Sequence, residues 1–149
     1  MQKSIEKKEF KVVFLKDMQE TANEILDLME DRNLLLLEGE LGAGKTTLTQ
    51  KILKKVGAKG SFTSPTFVVL KDYKLQSKSN FKKAFHFDCY RISSADLAQI
   101  GWQEIIENKN NLVIVEWPKR IKEALPNEYL HVRIEVIDEN KRRFFIKSN

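Results

Sequence analysis

Three observations predict an α/β fold with a mixed, mainly parallel central sheet for this chain of 149 residues. Leu34-Leu-Leu-Leu-Glu38 and Leu112-Val-Ile-Val-Glu116 are apolar runs of strand length, each closing on a carboxylate. Such runs suit strands buried on both faces. Between the first run and a helical pattern stands Gly39-Glu-Leu-Gly42-Ala43-Gly44-Lys45-Thr46, a full match to the phosphate-binding loop G-x-x-x-x-G-K-[ST]. Strand, loop and helix in that order define a three-layer P-loop NTPase fold, here as one domain over residues 1–149.

The other elements follow in chain order. Phe10–Phe14 is a first strand. Asp17, with Glu20 three residues on, opens a helix through a carboxylate capping box, and Met18, Ala22, Ile25, Leu26 and Met29 line its apolar face. Behind the loop, Leu48, Ile52, Leu53 and Val56 share a face of a second helix, which Gly57 ends. Thr66–Tyr73 alternates and is rich in β-formers; the polar stretch Gln76–Asn80 is a hairpin turn into a strand at Ala84–Asp88. Ser93 starts a short helix with Asp96 in the capping-box position. Tyr129–Ile137 and Arg143–Lys147 form a closing antiparallel pair around Asp138-Glu-Asn-Lys141.

Composition narrows the class. A hydrophobic fraction of 42% and a charged fraction of 32% fit a soluble globular protein. Charges from the start of the sequence and the lack of an apolar h-region predict no signal peptide, and no run approaches membrane-spanning length. One cysteine, Cys89, excludes an internal disulfide; the expected location is cytoplasmic. The net charge is +5, with basic clusters that include Lys141-Arg-Arg143 beside Phe144 and Phe145. Basic residues interleaved with aromatics suit RNA contact; a solvated lysine-rich face is the alternative.

The loop prescribes its chemistry. Its glycines let successive N–H groups of Glu40, Leu41, Gly42, Ala43, Gly44, Lys45, Thr46 and Thr47 turn toward phosphate oxygens. Lys45, expected at a solvent-facing position, reaches the β- and γ-phosphates of ATP, and the Thr46 hydroxyl ligates Mg²⁺. Turnover also needs a carboxylate in the metal shell and an oriented nucleophile. Glu116 holds the Walker-B position and is assigned to the metal; Asp88 is assigned to ordering a water or the metal shell. Thr66, in Ser64-Pro65-Thr66, stands where switch proteins sense the γ-phosphate, and a plain turn is the alternative. Trp117 follows Glu116 and lies beside the nucleotide pocket. His86 and His131 lack metal-type companions, and Cys89 has no base partner.

These motifs, in this order, resemble the TsaE family of small P-loop ATPases from bacterial tRNA threonylcarbamoyladenosine biosynthesis. The matching stretches are Gly39–Thr47, Ser64-Pro-Thr-Phe67, His86-Phe-Asp-Cys-Tyr-Arg91, Gly101-Trp-Gln-Glu104 and Val115-Glu-Trp-Pro118, with Leu125-Pro126 before the last strands. The resemblance implies an ATPase acting with TsaB and TsaD on adenosine 37 of tRNAs that read codons beginning with A. It implies that Lys45 and Thr46 hold triphosphate and Mg²⁺, that Glu116 is a metal ligand and that Asp88 matters for hydrolysis. It also places a basic residue near the nucleotide at Arg142-Arg143, for which Arg143 is the candidate. The stretch Lys74–Lys83 is longer than the family's pattern, and Ile92 stands where the family has Leu. A small-molecule kinase and a non-catalytic ATP-gated binding module share the loop and are the rival readings.

Overall fold

The computed structural model describes residues 8–60, 70–76 and 79–149. Seven strands form one sheet in the order β1-β7-β6-β2-β5-β4-β3. In chain order they are β1 (Lys8–Phe14), β2 (Leu34–Glu38), β3 (Leu70–Lys74), β4 (Lys83–Asp88), β5 (Asn111–Glu116), β6 (Leu130–Val136) and β7 (Lys141–Ser148). The four central strands β6, β2, β5 and β4 run parallel. The pairings β6–β7, β7–β1 and β4–β3 are antiparallel. The mixed, mainly parallel sheet expected from the two apolar runs is present.

Those runs sit side by side because both of their faces are buried. Leu35 and Leu37 of β2, with Leu112 and Ile114 of β5, pack under helices α1 (Met18–Met29) and α2 (Lys45–Lys55). Leu34 and Leu36, with Val113 and Val115, face the opposite way, onto Leu97 of α3 (Ser94–Ala98) and Trp102 and Ile106 of α4 (Trp102–Glu107). Side chains alternate across a strand, so only an unbroken apolar run can serve two layers at once. The second layer stops at β2: its apolar cluster takes no residue from β1, β6 or β7.

Two local expectations changed. The chain enters α1 through a 3₁₀ turn, Leu15–Asp17, which leaves Asp17 at φ −99°, ψ 14° instead of extended. Its carboxylate therefore makes no cap hydrogen bond, and the predicted box at Asp17 is absent. At α3 the box is present, with the Ser93 N–H donating to Asp96 Oδ2 at 2.9 Å. Helix α4 and the 3₁₀ segment Pro118–Ala124 were not predicted. The strand expected from Thr66 begins, among the described residues, at Leu70.

Candidate nucleotide site

The site lies at the carboxyl ends of the parallel strands, where an open α/β sheet binds ligands. Strand β2 delivers Gly39, the loop turns back at Ala43 (its N–H donates to Glu40 O at 3.1 Å), and α2 begins at Lys45. Gly44 stands at the helix N-cap with φ 110°, a left-handed conformation that a side chain resists. Gly39 is needed for space: a Cβ there would meet Ile134 O of β6 at 2.7 Å. Backbone cannot give way as a side-chain tip can, so Gly39→Ala is expected to destabilise the chain by about 2 kcal/mol, read as a lower midpoint in urea.

Lys45 is 5% exposed, so the solvent-facing position expected for it is not what the fold provides. Its ammonium donates to Gly39 O and lies 3.6 Å from the centre of the Trp117 ring. Burial pushes its pKa below the ordinary lysine value, and the charges of Glu116, Asp88 and Glu38 only partly restore it. Trp117 adopts φ 60°, ψ 52°, a left-handed backbone uncommon outside glycine, which turns its ring back over the loop. A pocket of about 210 Å³ is bounded by the loop from Leu41 to Thr47 together with Asp88, Glu116 and Trp117.

Asp88 and Glu116 face each other as register partners at the ends of β4 and β5. Glu116 is 3% exposed, and its Oε2 accepts from His86 Nε2 at 2.8 Å. His86 precedes Asp88 by two residues on the same face of β4, which brings its ring to the Glu116 carboxylate. In the sequence His86 stands within a family motif and without metal-type companions, and its carboxylate partner is not visible there. Asp88 is half-buried, and its Oδ1 accepts the Tyr90 N–H at 3.1 Å. Burial and the two neighbouring carboxylates push the Cys89 thiol up to about 12, in keeping with an inert side chain.

The basic residue that reaches the loop is Arg142, not Arg143. Arg142 Nε donates to Ala43 O at 2.9 Å, and its terminal nitrogens reach Gly42 O at 3.4 Å and Asp138 O at 2.6 Å. Arg143, one residue on in a strand, points to the opposite face, 3.7 Å from Glu135. Glu40, Leu41 and Thr47 are exposed along the loop and Thr46 is half-buried. Ser64, Pro65 and Thr66 lie outside the described residues.

Beside the loop, on the face away from α2, an open cleft of about 590 Å³ is bounded by Glu38, Gly39, Trp117, Lys119, Arg133 and Ile134. Glu38 accepts from Lys119 Nζ and from His131 Nε2, each at 2.9 Å. Burial acts to raise the Glu38 pKa, but the hydrogen bond and charge of Lys119, with those of His131, hold it below the usual value. At His131, by contrast, burial dominates and lowers the pKa despite Glu38. A histidine whose folded pKa is depressed makes the unfolded chain bind more protons, so stability falls as pH drops below 6.5 toward the folded pKa. Glu38 adds a second loss below 4.5, as pH falls through its lowered folded value. The expected result is an unfolding midpoint that declines in both windows, read by urea titrations across pH. His131→Gln is expected to flatten the upper window and narrow the lower one, because His131 also holds the Glu38 pKa down.

Loop, strand ends and sheet order together define the P-loop NTPase class. The family model of the threonylcarbamoyl adenosine biosynthesis protein TsaE matches residues 14–144. A tRNA threonylcarbamoyladenosine biosynthesis protein TsaE of Rickettsia felis is 37% identical over 123 residues, 81% of this chain and 68% of that protein. The Bacillus subtilis protein of the same name is 33% identical over 110 residues, 74% of this chain and 66% of that protein. The crystal structure of Bacillus subtilis YdiB superposes with a TM-score of 0.68 over 98% of this chain and 88% of its own, at 23% identity, and supports the fold. The chain belongs to the TsaE family.

Proposed function

We propose that this chain is a Mg²⁺-dependent ATPase of tRNA threonylcarbamoyladenosine formation, acting in the cytoplasm with TsaB and TsaD on adenosine 37 of tRNAs that read codons beginning with A. One observation carries the catalytic part: the buried Lys45 ammonium shares a pocket with two adjacent strand-end carboxylates, Asp88 and Glu116. The donor set fits the group. The N-terminus of α2 offers free N–H groups to phosphate oxygens, and oxygen ligands from Thr46 and Glu116 suit a hard cation. Glu116 Oε2 is committed to His86, which leaves Oε1 for the metal shell. When bound, Mg²⁺ neutralises charge on the β- and γ-phosphates.

The chain's own groups then divide the work. Lys45 exchanges Gly39 O and the Trp117 ring for phosphate oxygens, a stronger partner for a desolvated cation. Glu116 is held in place by the imidazole of His86. Asp88, more exposed and fixed by the Tyr90 N–H, orders the attacking water. No arginine is recognisable as a finger in the sequence, so slow turnover alone and acceleration in an assembly are the expected behaviour.

The test is phosphate release from ATP and Mg²⁺ by the purified chain, alone and with the TsaB–TsaD pair. Acceleration by the pair supports the proposal. Phosphate on an acceptor makes the chain a kinase, and stoichiometric binding without turnover makes it a binding module. Docking onto the pair is measured with ADP, with a non-hydrolysable ATP analogue and without nucleotide; equal affinity in all three removes any nucleotide-driven switch. Glu116→Ala is expected to weaken Mg²⁺-dependent binding, and Asp88→Ala to spare binding and lower turnover. The reverse pattern exchanges the two roles.

A further inference from the structure

The face of β1, β7 and β6 turned away from α1 and α2 carries a second pattern that the nucleotide site does not use. Phe10, Val12 and Phe14 of β1 are 60%, 49% and 43% exposed on it. Phe10 packs edge-on against Phe145 of β7, with ring centres 5.2 Å apart. The guanidinium of Arg133 lies 4.3 Å from the Phe145 ring centre, that of Arg143 5.7 Å from Phe10, and the Lys141 ammonium 5.4 Å from Phe14. One carboxylate, Glu135, steadies both arginines, at 2.8 Å from Arg133 and 3.7 Å from Arg143. Two guanidiniums against one carboxylate, with a lysine beside them, leave the face positive.

We propose that this sheet face is a stacking platform for single-stranded RNA. Guanidinium planes lying over the Phe145 and Phe10 rings, with the exposed part of the Phe10 ring, give bases flat surfaces to stack on. The same cations meet the phosphates that connect those bases. An apolar helix or strand would cover Phe10 and Val12 but would not meet the positive charge that Glu135 leaves unbalanced, whereas a polyanion with flat bases meets both. A duplex hides its bases and leaves the rings unused. The choice of RNA over DNA rests on membership of a family named for a tRNA modification.

The experiment is fluorescence anisotropy with the full chain and a fluorescein-labelled, unstructured RNA about ten nucleotides long. The expected result is salt-dependent binding, weakened roughly 5-fold or more by Phe10→Ala, since one stacked base is lost. Arg143→Gln is expected to lower the slope of log affinity against log salt by about 0.7, the value for one phosphate on a single strand. Phe10→Leu keeps the apolar contact and the fold but removes the ring face, and is expected to lose affinity as the alanine variant does. Lys45→Ala, checked for loss of ATP binding by calorimetry, is expected to bind the RNA normally. If ATP binds while the RNA does not, the face proposal falls and the ATPase reading stands. Unchanged affinity in the Phe10 and Arg143 variants, or equal binding of a duplex, overturns the platform. Equal binding of a DNA strand of the same sequence overturns the choice of RNA.

Discussion

Replacing His86 by leucine is expected to lower the stability of this chain by about 3 kcal/mol, a drop in Tm on the order of 10 °C. The imidazole and Glu116 are 2% and 4% exposed as side chains, and each is the other's hydrogen-bond partner. Leucine leaves the buried carboxylate without its side-chain donor among the described residues, and the cost is the desolvation of that group. A second variant separates unpaired charge from lost packing: His86→Leu with Glu116→Met removes both polar ends and is expected to recover most of the loss. A double variant as unstable as the single one would assign the effect to packing around His86. The single variant is also expected to weaken Mg²⁺-dependent ATP binding about 10- to 100-fold, as removal of a group that orients a metal ligand does. Calorimetry with and without Mg²⁺ checks it, at a temperature where the variant is folded.

Lys45→Ala is expected to reduce ATP affinity roughly 10- to 150-fold, the weight of a charge-assisted bond to phosphate. Its effect on stability runs the other way. Burial holds the folded pKa of Lys45 below the ordinary value, so between the two values the unfolded chain binds more protons and stability rises with pH. Below that window the full cost of the buried ammonium is present. Removing the lysine is therefore expected to keep or raise Tm while nucleotide binding is lost. Unchanged ATP affinity would sink the assignment of the loop, and a large fall in Tm would show that the bond to Gly39 O outweighs desolvation. Phosphate oxygens are stronger partners for the Lys45 ammonium than Gly39 O, so nucleotide is expected to raise the Tm of the parent chain more than that of the variant.

How far the sequence carried depended on the range of the interaction. Strands β2 and β5, the loop and α2 were legible because their signals are local: an apolar run for two-faced burial, glycines for a turn, a 3.6-residue period for a helix. Asp17 misled because a capping carboxylate needs an extended backbone, and the preceding 3₁₀ turn denies it one. The contact between His86 and Glu116 was not legible, since it follows from the register that sets His86 opposite Ile114 and Asp88 opposite Glu116. The choice between Arg142 and Arg143 is a parity of β7, fixed only by its pairing with β6. Glu116 could be picked out as a strand-end carboxylate; its burial and partner could not.

Arg142 has a consequence for the order in which the chain can mature. It is bonded to Ala43 O across 99 residues of sequence, and β7 lies between β1 and β6. During synthesis the loop, α1 and α2 emerge long before the arginine that ties down the Gly42 and Ala43 carbonyls. Strand β1 must likewise wait for β7, the neighbour with which it pairs. A nascent chain halted before Lys141 would hold the whole glycine-rich loop yet lack the brace and the strand that joins β1 to the sheet. The brace on the loop thus forms late in translation, when a long-range pairing closes.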